Sequence, residues 1–252
     1  MKRIVLLLAA VSVLASCTRE FPVVDPSAMD NRNIGVRIYK FWNGALLDTN
    51  KVLEINGDKI KIDNIYLTMS AFRFVDSDGS VQPTQNDLSA VNLIDTREVM
   101  LGYLPDGNYN GTILYRIGLD SARSFTAPDQ LDATNPLKSG VVWNGSDIGH
   151  SYFQIEGGIF DPADTVMSKP TKNFVWRVAT PDLRINQEDK RNFNVPTSKD
   201  VFFVMNLDVE KLFLGLSPSL TPVILSDPGD FADYSLAQIL RNNLQSELQF
   251  EQ

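Results

Sequence analysis

The sequence predicts an all-β protein, an antiparallel β-sandwich with a short C-terminal helix. Three observations predict it. Apolar and polar residues alternate with a period of two in short segments through most of the chain, the pattern of a strand with one face buried. Asn-Gly and Asp-Gly pairs stand between those segments, and these residues tolerate the positive φ that tight hairpin turns need. Helical spacing is confined to the C-terminal fifth.

In chain order, Ile34, Val36 and Ile38 alternate with Gly35 and Arg37. The run from Lys59 to Thr68 places Ile60, Ile62 and Asn64 on one face, opposite Lys61, Asp63 and Ile65. Ile113, Tyr115 and Ile117 share a face, as do Phe174, Trp176 and Val178. Turns are expected at Asn56-Gly57-Asp58, Asp76-Ser77-Asp78-Gly79, Pro105-Asp106-Gly107 and Asn144-Gly145. Asp208 to Gly215 reads as a short helix ended by Gly215. A longer helix is expected from Ser235 onward: Ser235 and Gln238 fit a capping box, Tyr234 and Ile239 a hydrophobic staple. Its apolar stripe would be Leu236, Ile239, Leu240, Leu244 and Leu248, covering an open end or edge of the sandwich.

The first sixteen residues read as a targeting segment. Lys2 and Arg3 form a positive start, and Ile4 to Leu14 are apolar apart from Ser12, well short of the roughly 20 residues a spanning helix needs. Ala15 and Ser16 directly before Cys17 resemble the lipobox of bacterial lipoprotein signals. That resemblance implies cleavage before Cys17 and acylation of its thiol and new amino group, which would hold the protein on a membrane. Thr18 follows, with no Asp to match an inner-membrane retention signal, so an outer-membrane anchor is expected. Residues 17–33, with Pro22, Pro26 and little periodic apolar content, read as a flexible tether, and 34–252 as one domain.

Composition excludes several functions. The chain has 252 residues, 43% of them hydrophobic, enough to bury a core without disulfides. With 23 basic against 31 acidic residues, a nucleic-acid partner is not expected. One His and one Cys exclude zinc fingers, internal disulfides and any site that needs two imidazoles from this chain. No P-loop, dinucleotide-binding glycine motif or Gly-x-Ser-x-Gly elbow occurs, and no enzymatic activity is expected. Asp76 to Gly79 begins like a calcium loop, but position 12 is Asp87, not Glu, and a hairpin turn accounts for it.

The middle of the chain carries an ordered series of short motifs. Asn92-Leu93-Ile94-Asp95 is followed by Leu104-Pro105-Asp106-Gly107-Asn108-Tyr109 and by Tyr115-Arg116-Ile117-Gly118-Leu119-Asp120. Asn135-Pro136-Leu137, Trp143 and Tyr152-Phe153-Gln154-Ile155-Glu156-Gly157 come next. This order resembles the MbnP-like family of extracytoplasmic bacterial proteins over about residues 34–215. The resemblance implies a β-sandwich outside the cytoplasm. It also implies a relation to copper and a tryptophan open to oxidation to kynurenine by a dihaem partner enzyme. Trp143 occupies the family's Trp-containing segment. The family pattern places a His in the strand after Glu-Gly, whereas this chain has Phe174-Val175-Trp176-Arg177-Val178 there.

The candidate metal ligands are therefore His150, the sole imidazole, and Glu156, beside a glycine that marks a bulge. Trp143 is the candidate modified or ligand-facing aromatic. The expected function is a lipid-anchored binding or accessory protein with a degenerate copper site. The alternative is a structural or glycan-binding envelope lipoprotein, using Trp42 or Trp143 as a flat stacking platform while Trp176 belongs to the core.

Overall fold

The computed structural model describes residues 31–82, 88–163 and 169–251. The leader 1–16, Cys17 and the tether up to residue 30 lie outside these residues. The described residues form two sheets facing a common core. The smaller contains β1 (Asn31–Trp42), β2 (Ala45–Leu46), β7 (Glu98–Pro105), β12 (Val201–Asp208) and β14 (Leu248–Phe250). The larger is built around β4 (Asp58–Asp76), which pairs with β3 (Leu53–Ile55), β5 (Val81–Gln82) and β6 (Leu88–Asn92). To one side of β4 lie β8 (Gly107–Ile117) and then β11 (Ile185–Val195); to the other lie β9 (Phe153–Phe160), β10 (Lys172–Val178) and β13 (Val223–Ile224). The first strand takes in residues 31–33, which the sequence reading placed in the tether.

The sandwich is as expected, but its sheets are mixed, not antiparallel throughout. β1 runs parallel to β12, Ile34 opposite Val201 through Phe41 opposite Asp208, and β10 runs parallel to β13. Period-two alternation is the same for either strand direction, so the pattern that identified β1 carries no information about its neighbour's direction. The alternating faces hold in three strands. Ile34, Val36, Ile38, Ile113, Ile117, Phe174, Trp176 and Val178 are fully buried, and Tyr115 nearly so.

In β4 the predicted face breaks. Ile60 and Ile62 are buried as expected, but Ile65, Leu67 and Met69 follow them inward and Asn64 does not. The pairing with β9 shifts between Ile62 and Asn64, so Asp63 is an extra residue that turns the rest of the strand over. A second irregularity lies between Ser70 and Arg73, where Ala71 has φ 54°.

The short helical segment before Gly215 is a 3₁₀ turn, Glu210–Phe213. The C-terminal helix, Phe231–Glu247, begins four residues before Ser235. Asp230 caps it, its Oδ1 accepting from the backbone N–H groups of Ala232 (2.9 Å) and Asp233 (3.2 Å). Ser235 lies inside the helix and donates its hydroxyl to the carbonyl of Phe231. The buried stripe is Ala237, Leu240 and Leu244, continued by Leu248, with Ile239 37% exposed off its edge. The helix packs on β10 and β13 of one sheet and β12 of the other, closing one side of the sandwich as expected.

Candidate functional site

Between β8 and β9 the chain leaves the sheet for an irregular excursion, residues 118–152, that carries Trp143 and His150. A one-turn helix, Ser121–Ser124, opens it, capped by Asp120, which accepts from the Arg123 N–H at 2.9 Å. The excursion places Leu119, Leu137 and Val142 with Leu88 and Tyr66 in a second, smaller apolar cluster.

Trp143 and His150 meet through a single antiparallel bridge, and their ring centroids are 4.7 Å apart. The backbone around them is pinned by Asn144, whose amide donates to the carbonyls of Val142 and Gly149 and to the Ser151 hydroxyl. Gly149 has φ 81°, and a Cβ there would come within 2.3 Å of the Ser124 carbonyl oxygen. Only glycine fits between His150 and the helix turn. The His150 N–H donates to that same carbonyl at 2.9 Å.

His150 is fully buried. Its Nε2 lies 2.8 Å from the Thr126 carbonyl oxygen. A carbonyl only accepts, so Nε2 holds the proton and Nδ1 the lone pair. Nδ1 is buried without a hydrogen-bond partner. Burial pushes the imidazole pKa down, opposed by the bond to Thr126, so the ring is held neutral. Trp143 is half-buried.

Glu156 stands in a different network. Its carboxylate accepts from Asn64 Nδ2 at 3.1 Å and from the Gln154 amide. Asn64 in turn accepts from Asn92 Nδ2 at 2.9 Å, and Asn92 Oδ1 accepts from the backbone N–H groups of Ile65 and Ile94. These side chains brace the β4 bulge from three strands. The bulge that Gly157 was expected to form lies in the partner strand instead. Gly157 lets β4 pass closely, since a Cβ on it would approach the Lys61 carbonyl oxygen to 2.0 Å. The hydrogen bonds of His150 and Glu156 share no partner.

The other motifs are also structural. Tyr109 donates its hydroxyl to the Pro105 carbonyl across the turn at 2.8 Å and stacks with Phe193. The Asp76 to Gly79 segment is a hairpin turn whose Asp76 and Asp78 carboxylates accept from the backbone N–H groups of Ser77 and Ser80. Trp176 is core, and Trp42 packs edge-on against Phe213 at 5.7 Å.

A family model described as MbnP matches residues 31–226. The chain belongs to the MbnP family. It is also similar to a solved structure, MbnP from Methylosinus trichosporium, with 14% sequence identity over 74% of this chain and 78% of that one, and a TM-score of 0.51. At that identity the likeness is one of fold. No curated protein matches. The MbnP fold here is held by the ordered motifs themselves: Asn92 and Glu156 at the bulge, Tyr109 at its turn, Asp120 at its cap.

The donor set of this MbnP-family chain does not fit a copper ion. His150 Nδ1 is a single buried lone pair, and no group of three His, Cys, Asp or Glu side chains able to hold a metal occurs among the described residues. Motif order points to Trp143, and His150 stands out as the sole imidazole. Thr126 carries no signal in the chain, while Asn64 and Asn92 show there only as a strand-face residue and the start of a motif, because their hydrogen bonds depend on tertiary contacts.

Proposed function

We propose that this protein is a lipid-anchored, extracytoplasmic binding or accessory protein of the MbnP type, without catalytic activity of its own. Trp143, half-buried with its ring tilted against the buried His150 ring, carries this reading. It is an aromatic residue on an otherwise irregular excursion, placed by Gly149, the Asp120 cap and the Asn144 amide. Anchoring through Cys17, outer-membrane location and the action of an oxidising dihaem partner on Trp143 belong to the same proposal, supported by the leader sequence and by family membership. The copper relation enters only in degenerate form, because a lone buried imidazole nitrogen is a poor copper site.

Three measurements test it. Intact mass of the membrane-extracted protein should show an acylated mature chain starting at Cys17; an uncleaved, bare thiol overturns the anchor. Peptide mapping of protein from its own host should place any tryptophan oxidation on Trp143 and not on the buried Trp176. Calorimetric titration with copper should give no tight one-to-one binding; submicromolar binding that His150→Ala abolishes would restore a metal site.

A further inference from the structure

Away from Trp143, the outer face of the larger sheet gathers arginine in a chain with 31 acidic residues against 23 basic ones. Arg116 in β8 has Arg73, Arg123 and Arg184 as charged neighbours and one carboxylate, Asp120, against them. Asp120 already pairs with Arg123 at 3.5 Å and caps the short helix. Among the described residues no carboxylate forms an ion pair with Arg73, Arg116 or Arg184.

Sheet geometry places the three together. Arg116 lies between the inward-facing Tyr115 and Ile117, Arg73 between Phe72 and Phe74, and Arg184 just before the buried Ile185, so all three face outward. Asn186 stands opposite Arg116 in β11, and its Oδ1 accepts from Arg116 Nε at 3.1 Å. That bond orients the guanidinium and leaves its two terminal amino groups unengaged. Gly118 lets Arg184 close in, since a Cβ there would stand 2.8 Å from that of Arg184. The second β4 irregularity, with Ala71 at φ 54°, lies on the same face and borders a shallow cleft of about 400 Å³. Arg73, Leu114, Arg116 and Asn186 line it, and Glu188 is the one carboxylate on its rim.

Guanidinium groups gathered on one face without carboxylate partners repel one another, and burial adds to the cost of Arg116's charge. An oxyanion with several acceptor oxygens removes both penalties and matches the planar donor fork of arginine. We infer that this cleft binds a phosphate group, through Arg73 and Arg116 with Arg184 beside them. The site is independent of the Trp143 surface and of the function proposed for it.

The test is titration of the full chain with inorganic phosphate, read by thermal unfolding and by the arginine Nε–H signals in NMR, against sodium chloride of matched ionic strength. A saturable rise in Tm with phosphate and not chloride is expected, with shifts at Arg73 and Arg116. The double variant Arg73→Gln, Arg116→Gln should weaken the apparent Kd at least about tenfold while keeping the same circular dichroism spectrum. Arg116→Lys, which keeps the charge but loses the fork, should fall between. Dihexanoyl phosphatidic acid below its micelle concentration separates the sources: tenfold tighter binding than inorganic phosphate assigns a lipid headgroup, and equal or weaker binding assigns a free phosphate. No saturable phosphate response in the unaltered chain, or one undiminished in the double Gln variant, overturns the inference.

Discussion

The Trp143 and His150 rings lie 4.7 Å apart at an angle of 57°, which tilts the indole of a half-buried tryptophan against an imidazole that has no access to solvent. The indole is thus part of what keeps His150 neutral, by denying water to a protonated ring.

A pH dependence of stability follows from that neutrality. The folded state holds the His150 pKa below its ordinary 6.5, so the unfolded chain binds a proton that the folded one refuses. Stability from this group is complete above about pH 6.5 and is lost as pH falls below it, with a slope of up to about 1.4 kcal/mol per pH unit until the folded ring protonates. Urea unfolding at pH 7.5, 6.5 and 5.5 should show this loss. His150→Phe should be less stable at pH 7.5, having lost the bond to Thr126, but should show a flatter profile over the same range. Parallel profiles for the two proteins would mean that His150 is not the group responsible.

Gly157 and Gly145 should respond to alanine for different reasons. In Gly157→Ala the new Cβ meets the Lys61 carbonyl oxygen at 2.0 Å and Phe174 Cε1 at 2.7 Å, and neither backbone nor packed ring can yield freely. A loss of about 3 kcal/mol or more is expected, or failure to fold. Gly145 has φ 91° with open space around its Cβ, so Gly145→Ala carries only the torsional cost of about 1–2 kcal/mol. Chemical denaturation of both variants checks the order; equal losses would remove the close-approach account of the Glu-Gly motif.

These cases show what was legible in the chain. The inward faces of β1, β8 and β10 could be read because alternation is a local property of Ile34-Val36-Ile38, Ile113-Tyr115-Ile117 and Phe174-Trp176-Val178. Strand direction could not, since the parallel partner of β1 lies 167 residues away, as Ile34 and Val201 show. The β4 bulge was hidden for a related reason. Asp63 is an ordinary polar residue until Asn92 and Glu156 arrive from other strands to hold its neighbour Asn64. Glu156 accordingly read as a ligand beside His150, while its hydrogen bonds run to Asn64 and Gln154.

Glu156 and His150 should therefore behave as separate sites. Glu156→Gln preserves shape but replaces one of the two acceptor oxygens with an NH2 donor, which then faces the amide donor of Asn64 or Gln154, at a cost of about 1–3 kcal/mol. Combined with His150→Phe, the losses should add to within about 0.5 kcal/mol in a double-mutant cycle. A larger coupling would mean that the two residues act on one site after all.

The helix start offers a direct contrast between a residue that resembles a cap and the residue that caps. Ser235 precedes Gln238 at capping-box spacing, but its backbone is already helical and its hydroxyl bonds back to Phe231. Asp230 has extended backbone, φ −111° and ψ 103°, and its carboxylate takes up two N–H groups that the first turn leaves without partners. Its charge also suits the positive end of the helix. Asp230→Ala should cost about 1 kcal/mol. Ser235→Ala should be neutral or slightly stabilising, because alanine is the better residue inside a helix and the hydroxyl competes with the backbone there. Denaturation midpoints of the two variants decide the matter, and a larger loss from Ser235→Ala would place the helix start where the sequence motif suggested.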